Sequence, residues 1–223
     1  MADLSNYTPR LLPGTRVLRG RLVILEPLNV EKHGAGLGNA VAGPGNDDIW
    51  TYMPFDPVEN AADFINVFSA LARKNDWLPY IITDAETGEV LGTTSYMRQR
   101  PEHGSIEVGC VAYSKKLQRS AHASEAIYLM GRHIFDDLDY RRFEWKCHNE
   151  NEKSRNAAAR YGFKFEGVFR NDMVMKGKNR DTAWFAITDD DWPEVKQAFE
   201  RWLSPDNFDE NGHQKRKLAE FRT

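Results

Sequence analysis

The chain has 223 residues, 41% hydrophobic and 28% charged, enough for one sizeable core beneath a solvated surface. A formal net charge of -3 gives no basic field for nucleic acid or an anionic membrane, and no run approaches the roughly 18 apolar residues of a membrane span. The two cysteines, Cys110 and Cys147, lie in apolar strand-like runs and read as buried thiols in a reducing compartment, not as a disulfide framework. The N-terminus lacks an apolar core of signal-peptide kind, so the expected location is the cytoplasm.

The first 18 residues are polar and broken by Pro9, Pro13 and Gly14, and read as an arm. Arg21–Pro27 is a short β-branched strand. Val30–Val41 reads as a helix broken by Gly34, Gly36 and Gly38, which are poor helix residues. A Gly/Pro/Asp-rich segment then carries Trp50, Tyr52, Met53 and Phe55. A loop this aromatic either folds over an edge of the core or faces a substrate, and both readings stand at this point. Val58–Lys74 is a helix whose Phe64, Val67, Phe68 and Leu71 form an apolar stripe. Trp77–Asp84 and Glu89–Arg98 are strands around the turn DAETG, and Ser105–Tyr113 is a further strand.

The junction Gln118-Arg119-Ser120-Ala121-His122-Ala123 leads from that strand into a predicted helix over Ala123–Leu138. A strand–loop–helix junction leaves the first helical N–H groups without intrahelical partners, and they favour a phosphate. Ser120 and Ser124 are candidate caps, and Arg119 and His122 add cationic donors. The alternative is an ordinary capped helix. Further on, Arg142–Cys147 is a strand, a short helix stops at Gly162, Lys164–Lys176 and Thr182–Ile187 form a hairpin, and Asp189–Leu203 is a helix. The tail 204–223 is charged, either mobile or draped on the surface. The order of elements is that of a mixed α/β domain.

Four segments together resemble one family. RLVILEPL, IEVGCVAY with LQRSAHASEA, NENEKSRNAAARYGFKFEGVFR and DTAWFAITDDDWPEV stand in the order and spacing of the GNAT superfamily of acyl-CoA N-acyltransferases, RimJ/RimL-like group. The resemblance covers about residues 19–203 and implies a bent mixed sheet of six or seven strands with helices on both faces. It further implies that Ser105–Tyr113 and Arg142–Cys147 splay apart to form a cleft. Against the usual loop Q/R-x-x-G-x-G/A, Gln118 and Ala123 fit, whereas Ala121 and Arg119 replace glycines. Both replacements require a negative φ or a shifted loop, because glycine alone approaches a phosphate at any φ without steric cost.

The function implied is acetyl transfer from acetyl-CoA to a primary amine by direct attack in a ternary complex. The acceptor is a protein N-terminus or a small amino-acid- or aminoacyl-nucleotide-like amine. The resemblance places the pyrophosphate on Gln118, Arg119, Ser120, Ala121, His122 and Ala123, and the pantetheine on the backbone of Val111 and Ala112 and on Asn151. Ser154 serves the departing thiolate and Glu107 accepts the amine's proton. Competing readings are plain: Glu107 as an exposed strand residue, Asn151 and Ser154 as helix caps, Cys110 as inert core, and the whole chain as a non-catalytic acyl-CoA-binding module. His103, His133, His148 and His213 show no ligand spacing, so no metal is expected. A monomer and a homodimer both remain open.

Overall fold

The computed structural model describes residues 3–222. Eight strands form one mixed sheet: β1 (Leu18–Arg19), β2 (Val23–Pro27), β3 (Leu78–Asp84), β4 (Val90–Arg100), β5 (Ser105–Tyr113), β6 (Arg142–His148), β7 (Lys164–Met175) and β8 (Lys178–Thr188). Their spatial order is β1-β2-β3-β4-β5-β6-β8-β7. This corrects the expected six or seven strands. The additional strand, β1, is a two-residue pairing that no periodicity could signal. All neighbours are antiparallel except β5 and β6.

Six helices complete the fold: α1 (Val30–Val41), α2 (Asp47–Trp50), α3 (Ala61–Lys74), α4 (Ala121–Arg132), α5 (Glu152–Tyr161) and α6 (Trp192–Trp202). One core lies between the sheet and α4, α5 and α6, with Ile106, Val108, Phe143 and Trp145 facing Ile127, Met130, Tyr161 and Phe199. A smaller core on the other face packs Ile81 and Ala112 against Leu37, Trp50, Phe64 and Phe68 from α1, α2 and α3.

Helix α1 is continuous, against the expectation of a break. A Cβ on Gly38 would meet Ala61 Cβ at 2.3 Å, so the glycine permits a close crossing of α1 and α3. The buried Leu37 and Val41 offset the low helix propensity. Helix α4 starts at Ala121, two residues before the predicted start, because Ser120 caps it: its Oγ accepts from Ala123 N at 3.1 Å. A π turn, His133–Asp137, takes the place of the predicted last turn. The tail is draped on the fold. Leu218 is buried in the main core, and the Arg222 guanidinium donates to the carbonyls of Arg160 and Ala159 at the end of α5.

Candidate active site

Strands β5 and β6 pair in register from Ser105↔Arg142 to Val108↔Trp145, and there the pairing stops. Beyond it β6 continues against β8 alone, and β5 against β4 alone. The strands therefore part at Gly109 and Lys146, opening a wedge in the sheet where the splay was expected. Cys110, at φ +48, sits in the β5 bulge that follows. Burial pushes its thiol up to about 12, far from a usable thiolate. The edge Gly109–Tyr113 that faces the wedge, including Val111 and Ala112, carries no strand partner among the described residues. The side chain of Ala112 is buried in the smaller core.

One mouth of the wedge lies beside the N-terminus of α4. The N–H groups of Ala121 and His122 have no acceptor among the described residues. Gln118 is turned inward, its side-chain amide donating to Tyr113 O at 2.9 Å. Arg119 is exposed and stands at φ +60, so of the two expected accommodations, a negative φ or a shifted loop, it does not take the first. The tight reversal Leu117–Ser120 imposes the left-handed conformation, at a cost of about 1–2 kcal/mol for a side-chain-bearing residue. Ala121 takes the helical conformation as the first residue of α4. His122 turns aside to Asp84, 3.3 Å away, and not to the open N–H groups. Ser124 is not a cap; it is fully buried and accepts from Arg160 at 2.8 Å.

Asn151 and Ser154 sit on the same face, at the start of α5. Asn151 Oδ1 caps the helix by accepting from Ser154 N at 3.1 Å, and Ser154 Oγ accepts the Trp145 indole N–H at 3.0 Å. Trp145 is the last residue of β6 paired with β5, so Ser154 stands at the fork of the wedge. Its hydroxyl hydrogen remains available to donate.

Glu107 occupies the opposite face of the sheet. It is 1% exposed, which excludes the reading as a solvated strand residue. Its carboxylate bends toward the wedge: an added Cβ on Gly109 would lie 3.0 Å from Glu107 Oε1. Oε2 has Lys146 Nζ at 3.2 Å and Arg98 Nε at 3.6 Å. Desolvation raises the carboxyl to about 6, while Lys146 and Arg98 pull the other way. Glu144 lies beside it, its Oε1 held by Arg100 at 2.6 Å and Arg142 at 2.8 Å. Trp184 closes this cluster, with the Arg98 guanidinium 5.0 Å and the Lys146 ammonium 5.5 Å from its ring.

The aromatic loop divides. Trp50 is 1% exposed, packs on Phe55 and Phe64, and donates its indole N–H to Val41 O, so it is core and not a substrate-facing group. Met53 and Phe55 pack partly buried on the same cluster. Tyr52 alone reaches the wedge end, its ring 5.2 Å from His148 and its hydroxyl donating to Glu150 O. Lys176, at the tip of the β7–β8 hairpin, donates to Trp50 O and pairs with Asp56, fastening the loop there.

A wedge between two parallel strands, a capped helix with open N–H groups and a buried carboxylate now have a match in known proteins. Residues 23–164 match the family model for the acetyltransferase (GNAT) domain. The chain belongs to the GNAT acetyltransferase family. A crystal structure of a GCN5-related N-acetyltransferase from Brucella melitensis has a TM-score of 0.94 at 44% identity, covering 98% of this chain and 99% of that one. A probable GNAT-family acetyltransferase from Chromobacterium violaceum ATCC 12472 has a TM-score of 0.80 at 34% identity, over 86% of this chain and 96% of that one. A curated relative, the uncharacterized N-acetyltransferase YoaA of Bacillus subtilis (strain 168), is 27% identical over 145 residues, 64% of this chain and 81% of its own length.

This GNAT enzyme is therefore an N-acetyltransferase. Sequence reasoning missed Arg98, Glu144, Lys146 and Trp184. Period-2 alternation in RFEWKC does place Glu144 and Lys146 on one face, a signal that finds them once β6 is set beside Glu107. Arg98 had no such signal, because its φ of +45 belongs to an irregularity in β4. Among the described residues no group of three or more His, Cys, Asp or Glu side chains is arranged to hold a metal, and no helix is long and apolar enough to cross a membrane.

Proposed function

We propose that this GNAT enzyme, of the RimJ/RimL-like kind, moves an acetyl group from acetyl-CoA to a primary amine by direct attack within a ternary complex. The observation that carries the reading is the position of Glu107, whose carboxylate bends over Gly109 at the point where β5 and β6 part. An ammonium has no free lone pair, so the protein must accept a proton before the amine can attack. A carboxyl held at about 6 is largely ionised at neutral pH and is a far better acceptor than an ordinary one.

The remaining residues take supporting roles. The free N–H groups of Ala121 and His122, with the Arg119 guanidinium, suit the pyrophosphate of acetyl-CoA, which supplies the activated acetyl group. Val111 and Ala112 offer backbone along the open strand edge for the pantetheine amides. Asn151 serves chiefly by fixing the start of α5, and the Ser154 hydroxyl at the fork is placed to donate toward a departing sulfur. His122, drawn to Asp84, contributes backbone more than charge. Tyr52 borders the acceptor's entrance. No covalent nucleophile is required, in keeping with the inert Cys110. The motif segments LQRSAHASEA and NENEKSRNAAARYGF support the group assignment.

The test is calorimetry with acetyl-CoA followed by thiol release over a panel of peptides and small amines. Binding of acetyl-CoA with amine-dependent thiol release is expected. Binding with no thiol release for any amine would overturn the reading in favour of a binding module.

A further inference from the structure

Several polar side-chain atoms around Glu107 are buried without a hydrogen-bond partner among the described residues, the acceptors Glu107 Oε2 and Glu144 Oε2 included. Trp184 Nε1 and Thr182 Oγ1 are among them. They lie two residues apart on β8, hence on one face of the sheet. An indole N–H can only donate, and leaving a buried donor unmade costs free energy. Lys146 and Arg98 stand over the same ring, and among the described residues their ionic partners are the carboxylates beneath. The Arg98 side chain is 41% exposed, so it presents its guanidinium to whatever enters. It does so from a left-handed conformation, which costs a non-glycine residue about 1–2 kcal/mol and is not needed for pairing within a strand.

The charge balance points the same way. Glu107, Glu144 and Glu166 meet four cations in Arg98, Arg100, Arg142 and Lys146. The cluster thus has one more positive than negative group, which disfavours a simple ammonium relative to an amine that brings an anion. An amine that carries a carboxylate is neutral overall and one that carries a phosphate monoester is net negative, and either anion can meet the exposed Arg98 and the Lys146 ammonium.

Resting on the acetyltransferase reading of this site, we infer that the acceptor is a small amine bearing an anionic oxygen group, carboxylate or phosphate, held by Arg98 and Lys146 while the amine faces Glu107. The planar Arg98 fork suits either anion. The exposed Phe169 ring lies 5.2 Å from Trp184 and offers an apolar surface beside the cationic pair.

Two matched pairs test this: β-alanine against β-alaninamide, and phosphoethanolamine against ethanolamine, each with purified enzyme and acetyl-CoA. At least one anionic member should exceed its neutral partner tenfold or more in kcat/KM, although its amine is more fully protonated. The pair with the larger ratio identifies the anion. Arg98→Gln should cut that ratio about tenfold by raising KM for the anionic member, and Arg98→Lys should restore part of it, with thermal midpoints recorded to confirm folding. Ratios of one or below in the wild type, or a ratio unmoved by both Arg98→Gln and Lys146→Gln, overturn the inference alone. Thiol release from none of the four acceptors overturns the inference alone; the acetyltransferase reading falls with it only if the panel of peptides and other amines releases no thiol either.

Discussion

Glu107 and Gly109 are in close contact: a Cβ on Gly109 would stand 3.0 Å from Glu107 Oε1, in a space already filled by Met97 Sδ at 2.5 Å. The place of the Glu107 carboxylate, which we propose as the proton acceptor, thus depends in part on the absence of a side chain two residues away. Gly109→Ala should displace the carboxylate and lower kcat by about tenfold to a hundredfold, since small misplacements of a reacting group are costly. The overpacking should cost about 1–3 kcal/mol of stability. Steady-state kinetics beside a thermal melt check this, and an unchanged kcat would mean the carboxylate needs no such placement.

Glu107→Gln keeps the shape and removes the basic site. The expected loss in kcat is about 10²–10⁴-fold, with acetyl-CoA affinity nearly unchanged and partial recovery at high pH, where more amine arrives deprotonated. In the wild type, kcat/KM should fall below a pH of about 6 as Glu107 takes up a proton, and that limb should be absent from the variant. Stability runs in the opposite direction. Because the folded carboxyl is raised from 4.5 to about 6, its contribution is fully present below 4.5 and lost as pH rises through 6, a change of about 2 kcal/mol. A pH–rate profile identical in the two proteins would remove Glu107 from the chemistry.

Arg119 separates binding from folding. Arg119→Glu should weaken acetyl-CoA roughly tenfold or more by placing like charge beside the pyrophosphate. Arg119→Gly should relieve the left-handed strain at φ +60 and raise stability by about 1 kcal/mol, yet still weaken binding through loss of the guanidinium. Calorimetry and melts on both variants give the answer. Unaltered affinity in each would mean that the loop binds through backbone alone.

Glu125 is a structural carboxylate. It is 4% exposed, and its oxygens accept from the backbone N–H of Arg21 at 3.0 Å, Leu22 at 2.6 Å and Val23 at 2.8 Å. Glu125→Gln sets an amide N–H against one of those donors, and about 2 kcal/mol of stability should go, roughly 4–8 °C in Tm for a chain of this size. A melt within 1 °C of wild type would mean that water replaces the lost acceptor.

The elements were legible where hydrophobic period and punctuation agree. Ser105–Tyr113 and Val30–Val41 have the predicted bounds, the latter because Asn29 caps the helix and Leu37 and Val41 anchor it in spite of its glycines. Glu107 was legible because alternation isolates it from Ile106 and Val108. Glu125 was not: a single acid within a helix gives no hint that it meets backbone about a hundred residues earlier. The inward turn of Trp50 was not legible, because a loop's composition leaves open which rings pack on the core and which face outward. Arg98 was hidden by a local departure from the very periodicity used to read strands.

The parting of β5 and β6 also governs traffic. The helices α4 and α5, with Ser154, flank one side of the sheet, and Glu107 with its cationic surroundings occupies the other. On the proposed reading acetyl-CoA uses the first side and the amine the second, so the expected kinetics are those of two substrates that bind in either order. A single compound joining both would be laced through the sheet, able to leave only if one end can slip back through the fork, and its residence time would report how readily β5 and β6 spread.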